Sequence, residues 1–206
     1  MVGDNPLKTF LFTVAALSAL ALPQAASAQT PQKTEVAIFA GGCFWCMEAP
    51  FDKLEGVIST TSGFAGGTTP NPVYPATGTD HAEVVRIVFD PAKVSYDKLL
   101  NVFWRNVDPL DAGGQFCDRG PQYRTAIYYQ SAEQKRLAEA SKANLDDTAK
   151  LGAPIATEIA PALAFYPVQD YHQDYYKKNP IQYKVYRYNC GRDQRLEQVW
   201  GGKPSS

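Results

Sequence analysis

The chain has 206 residues, with 20 Lys and Arg against 21 Asp and Glu and a formal charge of −1. A near-neutral chain with no basic run carries no electrostatic footprint for nucleic acid or an anionic membrane surface. No internal repeat or low-complexity linker divides it, so its length suits one domain with its own core.

The N-terminal region reads as a leader. Lys8 precedes an apolar stretch from Phe10 to Leu22, and Ala26-Ser27-Ala28 has the small-x-small form of a signal-peptidase site. The stretch is too short for a spanning helix, which needs ~20 apolar residues. No cysteine follows it directly, so no lipid anchor is expected. Residues 1–28 are therefore predicted to be a signal peptide cleaved after Ala28. Residues 29–206 then form a single domain, exported to the periplasm, monomeric and free of the membrane.

The apolar run Val36–Ala40 predicts a short buried strand, Gly41-Gly42 a tight turn, and Phe44 to Leu54 a helix. Val57 to Gly63 reads as a strand, 66–79 as a polar loop, and Ala82 to Phe89 as a strand. Ser95 caps a helix with the apolar face Tyr96, Leu99, Leu100, Phe103 and Val107, ended by Asp108-Pro109. A second polar loop spans 110–122, and Arg124 to Gln130 is a strand. Ser131 and Gln134 form a capping box for a helix to about Asp147, and Ile155 to Ile159 is a last strand. After Phe165 the chain is aromatic and polar with no clear period, which predicts a long irregular tail. This order predicts an α+β fold, a two-layer sandwich of a mixed sheet with packed helices. A parallel doubly wound sheet fits less well, because a loop joins the second and third strands.

Chemistry concentrates at Cys43. It stands at the predicted helix N-terminus, where free N–H groups and the helix dipole favour a thiolate. Phe44 and Trp45 supply an apolar wall; the alternative is an inert buried cysteine. The four cysteines are Cys43, Cys46, Cys117 and Cys190. Cys43 and Cys46 close too short a loop for a useful structural staple, so the pair reads as redox chemistry. Strand alternation places Glu83 with Val85, Ile87 and Phe89 on the core-facing side. A carboxyl there is desolvated and can hold a proton near neutral pH, as a proton donor must; the alternative is a Glu fraying to solvent. Tyr123 heads a similar face with Thr125, Ile127 and Tyr129. Asp118 reads as a turn residue, and His81 shares the Glu83 face. A metal centre would need a second close pair of Cys or His, so none is expected. Two rival readings are a thioredoxin-like thiol–disulfide oxidoreductase, which shares the strand–C-x-x-C–helix signature, and a non-enzymatic exported binding module held by two disulfides. The bulky Phe44-Trp45 between the cysteines argues against the first.

Several separated motifs, in order, resemble the peptide methionine sulfoxide reductases of the A type. They are Gly42-Cys43-Phe44-Trp45, Asn71-Pro72-x-Tyr74, His81-Ala82-Glu83-Val84-Val85, Phe116 to Arg124 and His172-Gln173-Asp174-Tyr175. The resemblance covers about Glu35 to Gly201. It implies reduction of the S epimer of methionine sulfoxide, free or in oxidised proteins, without metal or cofactor, and regeneration by an external dithiol such as thioredoxin. It also implies roles: Cys43 as nucleophile, Glu83, Tyr74 and Tyr123 around the sulfoxide oxygen, Phe44 and Trp45 against the substrate methyl, and Asp118 and His172 in the pocket. Attack would leave a sulfenic acid on Cys43, which a second thiol must condense with. The candidates are Cys190, Cys46 and Cys117. Cys190 ranks first, because Gly191 gives its segment freedom to swing. Cys46 is always near but three residues away on one helix. Two departures from the family stand out: many members carry Gly in place of Cys46, and the Tyr74–His81 stretch is short.

Overall fold

The computed structural model describes Met1, residues 33–148 and residues 151–202, with no side-chain description for 146–148. Residues 2–28 of the predicted signal peptide and its cleavage site lie outside the described residues.

Strands β1 (Glu35–Gly41), β2 (Val57–Ala65), β3 (Ala82–Phe89), β6 (Thr125–Tyr129), β7 (Glu158–Pro161) and β8 (Tyr166–Pro167) make one sheet in the order β7-β6-β1-β3-β2-β8. A separate two-stranded ribbon, β4 (Gly114–Gln115) with β5 (Asp118–Arg119), sits inside the second polar loop. Every pairing in the large sheet is antiparallel except β6 with β7. The mixed sheet and α+β class are as the sequence predicts.

Alternation on the strands sorts the core. Ala37 and Phe39 on β1 and Val85, Ile87 and Phe89 on β3 point to one face. Helices α1 (Phe44–Asp52) and α2 (Tyr96–Arg105) cover that face with Met47, Phe51, Leu99, Leu100 and Phe103. The Phe39 ring lies 5.1 Å from Phe103 and 5.6 Å from Phe51, at the offset-stacked spacing that aromatic pairs prefer. The opposite face carries a smaller cluster: Ile38, Ala40, Val84, Ala126 and Tyr128. Gly66 is required there, because a Cβ would meet the Tyr128 hydroxyl at 2.0 Å.

Local signals act as read, with one adjustment. Ser95 Oγ accepts from Lys98 N, capping α2. Ser131 Oγ accepts from Gln134 N at the head of α3 (Ala132–Thr148). The Gln134 side chain, however, reaches back to Gln130 N and to the Val36 carbonyl, so the half of the box that returns is spent on holding the helix to β1.

Three differences from expectation bear on the site. The last predicted strand begins at Glu158 rather than Ile155, because Ala156 N donates to Pro109 O and the Thr157 hydroxyl bonds Thr125. Strand β6 begins at Thr125, since Pro121–Tyr123 forms a 3-10 turn that Gly120 introduces at φ 125°. Tyr123 is thus a turn residue and not the head of a strand face. The tail is not irregular: α4 (Tyr175–Lys178), α5 (Pro180–Asn189) and α6 (Arg192–Trp200) follow one another. Pro180 opens α5, and Gly191 and Gly201 adopt left-handed conformations at the joints. Neither α4 nor α5 buries a residue fully, so neither needs the apolar stripe that would have announced it.

Candidate active site

The β1–α1 turn builds the centre. Gly42 takes φ +77° and has Gln115 Cβ 2.6 Å from where its own Cβ would stand, so both backbone conformation and space call for glycine. Cys43 is the N-cap of α1 and is 6 % exposed; Cys46 is 2 % exposed. Both are free thiols.

The expectation for the thiolate needs correcting. The first N–H of the helix, Phe44 N, donates to Glu83 Oε2 at 3.2 Å, and Cys46 N donates to the Cys43 carbonyl at 3.0 Å. The Cys43 side chain accepts no capping hydrogen bond. Burial pushes its thiol well above its usual range, and the Cys46 and Glu83 charges push it further, with a hydrogen bond from Tyr186 opposing. Cys46 is instead drawn down to about 6, first by the hydrogen bond from Cys43 and then, against burial, by Arg192 and Arg187.

Glu83 lies on the core face of β3, 1 % exposed, as the alternation predicted. Burial raises its carboxyl to about 8, with the Asp118 and Cys46 charges adding to the effect and the Phe44 N–H opposing it. Its Oε2 is occupied by that N–H, which leaves Oε1 to carry the proton. Tyr74 and Tyr123 are both raised, mainly by burial and next by the Glu83 charge; Cys43 and Asp118 act on both. The structure therefore gathers Tyr74 and Tyr123 around the Glu83–Cys43 pair despite the short Tyr74–His81 stretch.

Aromatic rings wall the site. Phe44 lies 5.3 Å from the His172 ring and 6.4 Å from Tyr74, and Tyr74 lies 4.2 Å from His172. Trp45 stacks on Tyr175 at 3.8 Å and meets Tyr186 edge-on at 5.7 Å. The Trp45 indole N–H donates to His172 Nδ1 at 3.1 Å. An indole only donates, so His172 is neutral with its proton on Nε2; burial favours the same form. His81 stays apart, with Nδ1 accepting from Gly67 N and Nε2 meeting the Thr69 carbonyl, and it orders the 66–79 loop.

A second redox pair stands beside this one. Cys117 and Cys190 are joined by a disulfide across 73 residues. Asp118 Oδ1 and Oδ2 lie 3.8 Å from the Cys117 and Cys190 sulfurs. The Tyr186 hydroxyl donates to Asp118 Oδ2 and also reaches Cys43, so one tyrosine spans the two pairs. Among the described residues, Cys117, Asp118 and Cys190 are the one group close enough to hold a metal ion, and both sulfurs are spent in the bridge.

Sequence reasoning did not find Tyr186, Arg192 or Glu48. Tyr186 is one of twelve tyrosines in a stretch without period. Arg192 follows Cys190-Gly191 at the head of α6, where nothing local marks it. Glu48 is 1 % exposed and raised to about 7 by burial, but it faces Ser62 and Asp174 and not the nucleophile.

A buried C-x-x-C thiol pair, a buried carboxyl hydrogen-bonded to the first turn of its helix and an outer disulfide are the parts of a thiol-dependent oxidoreductase. The chain belongs to the peptide methionine sulfoxide reductase family: the model of that family matches residues 35–204. The peptide methionine sulfoxide reductase MsrA of Bacillus licheniformis is 50% identical over 175 residues, which is 84% of this chain and 97% of that one. Among solved structures, reduced Mxr1 from Saccharomyces cerevisiae aligns with TM-score 0.68 at 30% identity, covering 74% of this chain and 89% of its own. Methionine sulfoxide reductase A of Corynebacterium diphtheriae aligns with TM-score 0.65 at 36% identity, covering 74% and 78%. The protein is an enzyme that reduces methionine sulfoxide with its own thiols.

Proposed function

We propose that Cys43 attacks the sulfoxide sulfur of the S epimer, free or in oxidised proteins, while Glu83 delivers a proton to the oxygen. The observation that carries this is the Glu83 carboxyl, kept protonated by burial and held against the first turn of α1 by the Phe44 N–H. A sulfoxide sulfur is a poor electrophile until its oxygen is protonated. Tyr74 and Tyr123 supply further hydroxyls around that oxygen, Phe44 and Trp45 pack the methyl group, and Asp118 and His172 close the pocket. The products are methionine and a sulfenic acid on Cys43.

Cys46 resolves that sulfenic acid first. It is the free thiol hydrogen-bonded to Cys43, whereas Cys190, ranked first from sequence, is bridged to Cys117. The Cys46 sulfur bonds to the Cys43 sulfur, and the hydroxyl leaves as water. Both members of that disulfide are buried, while Cys117 is exposed and Cys190 half-exposed. The reduced Cys117–Cys190 pair then exchanges with it, which regenerates the inner thiols and moves the disulfide to the surface. An external dithiol protein of the thioredoxin type reduces the outer bridge. Export to the periplasm is supported by the apolar stretch from Phe10 to Leu22 and by Ala26-Ser27-Ala28.

The test is a single turnover with fully reduced protein and one equivalent of each epimer. Methionine should form from the S epimer alone, with one disulfide made per methionine. Comparable consumption of the R epimer, or methionine without a disulfide, would defeat the reading.

A further inference from the structure

The two ends of the outer disulfide differ in their surroundings. Cys117 stands in the turn of the β4–β5 ribbon and is exposed. Cys190 caps the end of α5 and is half-exposed. Its N–H donates to the Tyr186 carbonyl at 2.9 Å, so the helical path runs on to the cysteine. Counting back four and seven residues gives Tyr186 and Tyr183, which share its side of the helix. That side faces the reaction centre: Tyr186 meets Trp45 edge-on at 5.7 Å and donates to Asp118. Ile181, Val185 and Tyr188, on the opposite side, are all exposed. The bridge thus joins an outward residue to an inward one.

The hydrogen bonds are unequal as well. The backbone N–H of Cys117 donates to the Cys190 sulfur at 3.2 Å. Among the described residues, no N–H donates to the Cys117 sulfur. The Asp118 carboxyl lies 3.8 Å from each sulfur and so does not choose between them. The rate of thiol–disulfide exchange depends on which sulfur is attacked and on how readily the leaving sulfur carries negative charge. A backbone donor held on the leaving sulfur strengthens as that charge develops. Attack on Cys117 uses the donor. Attack on Cys190 would leave it idle and would have to enter on the inner side of α5.

We infer that the two outer cysteines have fixed roles: the external dithiol attacks the Cys117 sulfur, and Cys190 is the sulfur that leaves, on the side of the inner thiol pair. This rests on the reading of the outer bridge as the one that the external dithiol reduces. One thiol of the dithiol loses its proton to solvent, and its sulfur bonds to the Cys117 sulfur as the Cys117–Cys190 bond breaks. Cys190 leaves with the electron pair, accepts the Cys117 N–H and takes a proton from solvent. The second thiol of the dithiol then attacks the first, and Cys117 leaves with the electron pair and the proton that the second thiol gave up. Two electrons have passed to the bridge, and the dithiol ends as a disulfide.

The experiment captures the first mixed disulfide on the full chain, with the Cys117–Cys190 bridge formed and the inner thiols reduced. Two probes are used separately. One is a thioredoxin-type protein whose second redox cysteine is replaced by serine, so that the mixed disulfide cannot resolve; the other is glutathione. Early samples are quenched with N-ethylmaleimide, which caps the released thiol, and peptide mapping reads which cysteine carries the probe and which the cap. Both probes should be found on Cys117, with the cap on Cys190. That arrangement should exceed its opposite by about tenfold or more, the scale of one hydrogen bond to a charged group. In urea that unfolds the chain, the excess should shrink. Capture on Cys190, or on both sulfurs equally, by either probe overturns the assignment and leaves the outer bridge in the relay. An excess that is unchanged in urea belongs to the local sequence and overturns it too. No capture on either sulfur, while the unaltered dithiol protein sustains turnover, removes the outer bridge from the relay along with the assignment.

Discussion

Glu83→Gln separates the two consequences of burying a carboxyl. The native carboxyl titrates at about 8 against an ordinary value of 4.5. Between those values the folded protein holds a proton that the unfolded chain releases, so folding stability falls as pH rises and is level again above about 8. From 4.5 to pH 7, at about 1.4 kcal/mol per pH unit, the deficit is roughly 3 kcal/mol relative to acid conditions. Glutamine is isosteric, keeps an oxygen to accept the Phe44 N–H and cannot ionise. Urea unfolding at pH 5 and pH 7.5 should therefore show wild type losing ~2–4 kcal/mol more than the variant between the two pH values. The comparison cancels Cys46 and Glu48, which titrate in both proteins. The same substitution removes the proton donor, so single-turnover methionine formation should drop by ~10²-fold or more. Glu83→Ala, which lacks a hydrogen-bond donor altogether, should fall further. Wild-type turnover should decline above pH 8 as Glu83 ionises, and the Gln variant should lack that decline. If the stability difference between the two proteins does not change over this range, Glu83 is not held protonated and its assignment as the acid fails.

Cys43→Ser should give no methionine from the S epimer even with excess dithiothreitol; measurable turnover would move the nucleophile elsewhere. One equivalent of sulfoxide added to fully reduced Cys190→Ser should trap a Cys43–Cys46 bridge, found by peptide mapping, whereas the wild type should pass on to Cys117–Cys190. A direct Cys43–Cys190 bridge as the first product in Cys46-containing protein would reverse the proposed order. Tyr186→Phe breaks the hydroxyl link to Asp118 and the hydrogen bond to Cys43, and quenched-flow sampling should show slower sulfenic acid formation and an inner disulfide that persists longer than in wild type. N-terminal sequencing of protein from the native host should begin at Gln29; a chain starting at Met1 would remove the export proposal.

Much of the centre is local, and local chemistry is legible in a sequence. The β1 run, the two glycines and the helix start placed Cys43 at a turn, since strand period and glycine conformation act over a few residues. Alternation on β3 put Glu83 on the core side, and its 1 % exposure follows from that register. Ser95 and Ser131 capped where they stood. What the chain did not disclose depends on segments far apart in sequence. The helix N-terminus at Cys43 suggested a thiolate there, but Glu83, 39 positions from Phe44, takes the first N–H, and Arg192 lies 151 positions from Gly41. Burial raises the Cys43 thiol, and the hydrogen bond from Cys43 lowers Cys46. The helices of the tail escaped notice because α4 and α5 bury no residue completely and need no apolar period. Whether Cys190 pairs with Cys117 or reaches Cys43 is likewise a matter of where α5 and α6 dock. Short-range patterning thus determined which residues could react; the long-range packing of β3 and the tail against one turn decided the surroundings that shift their pKa values, because a pKa answers to everything nearby in space.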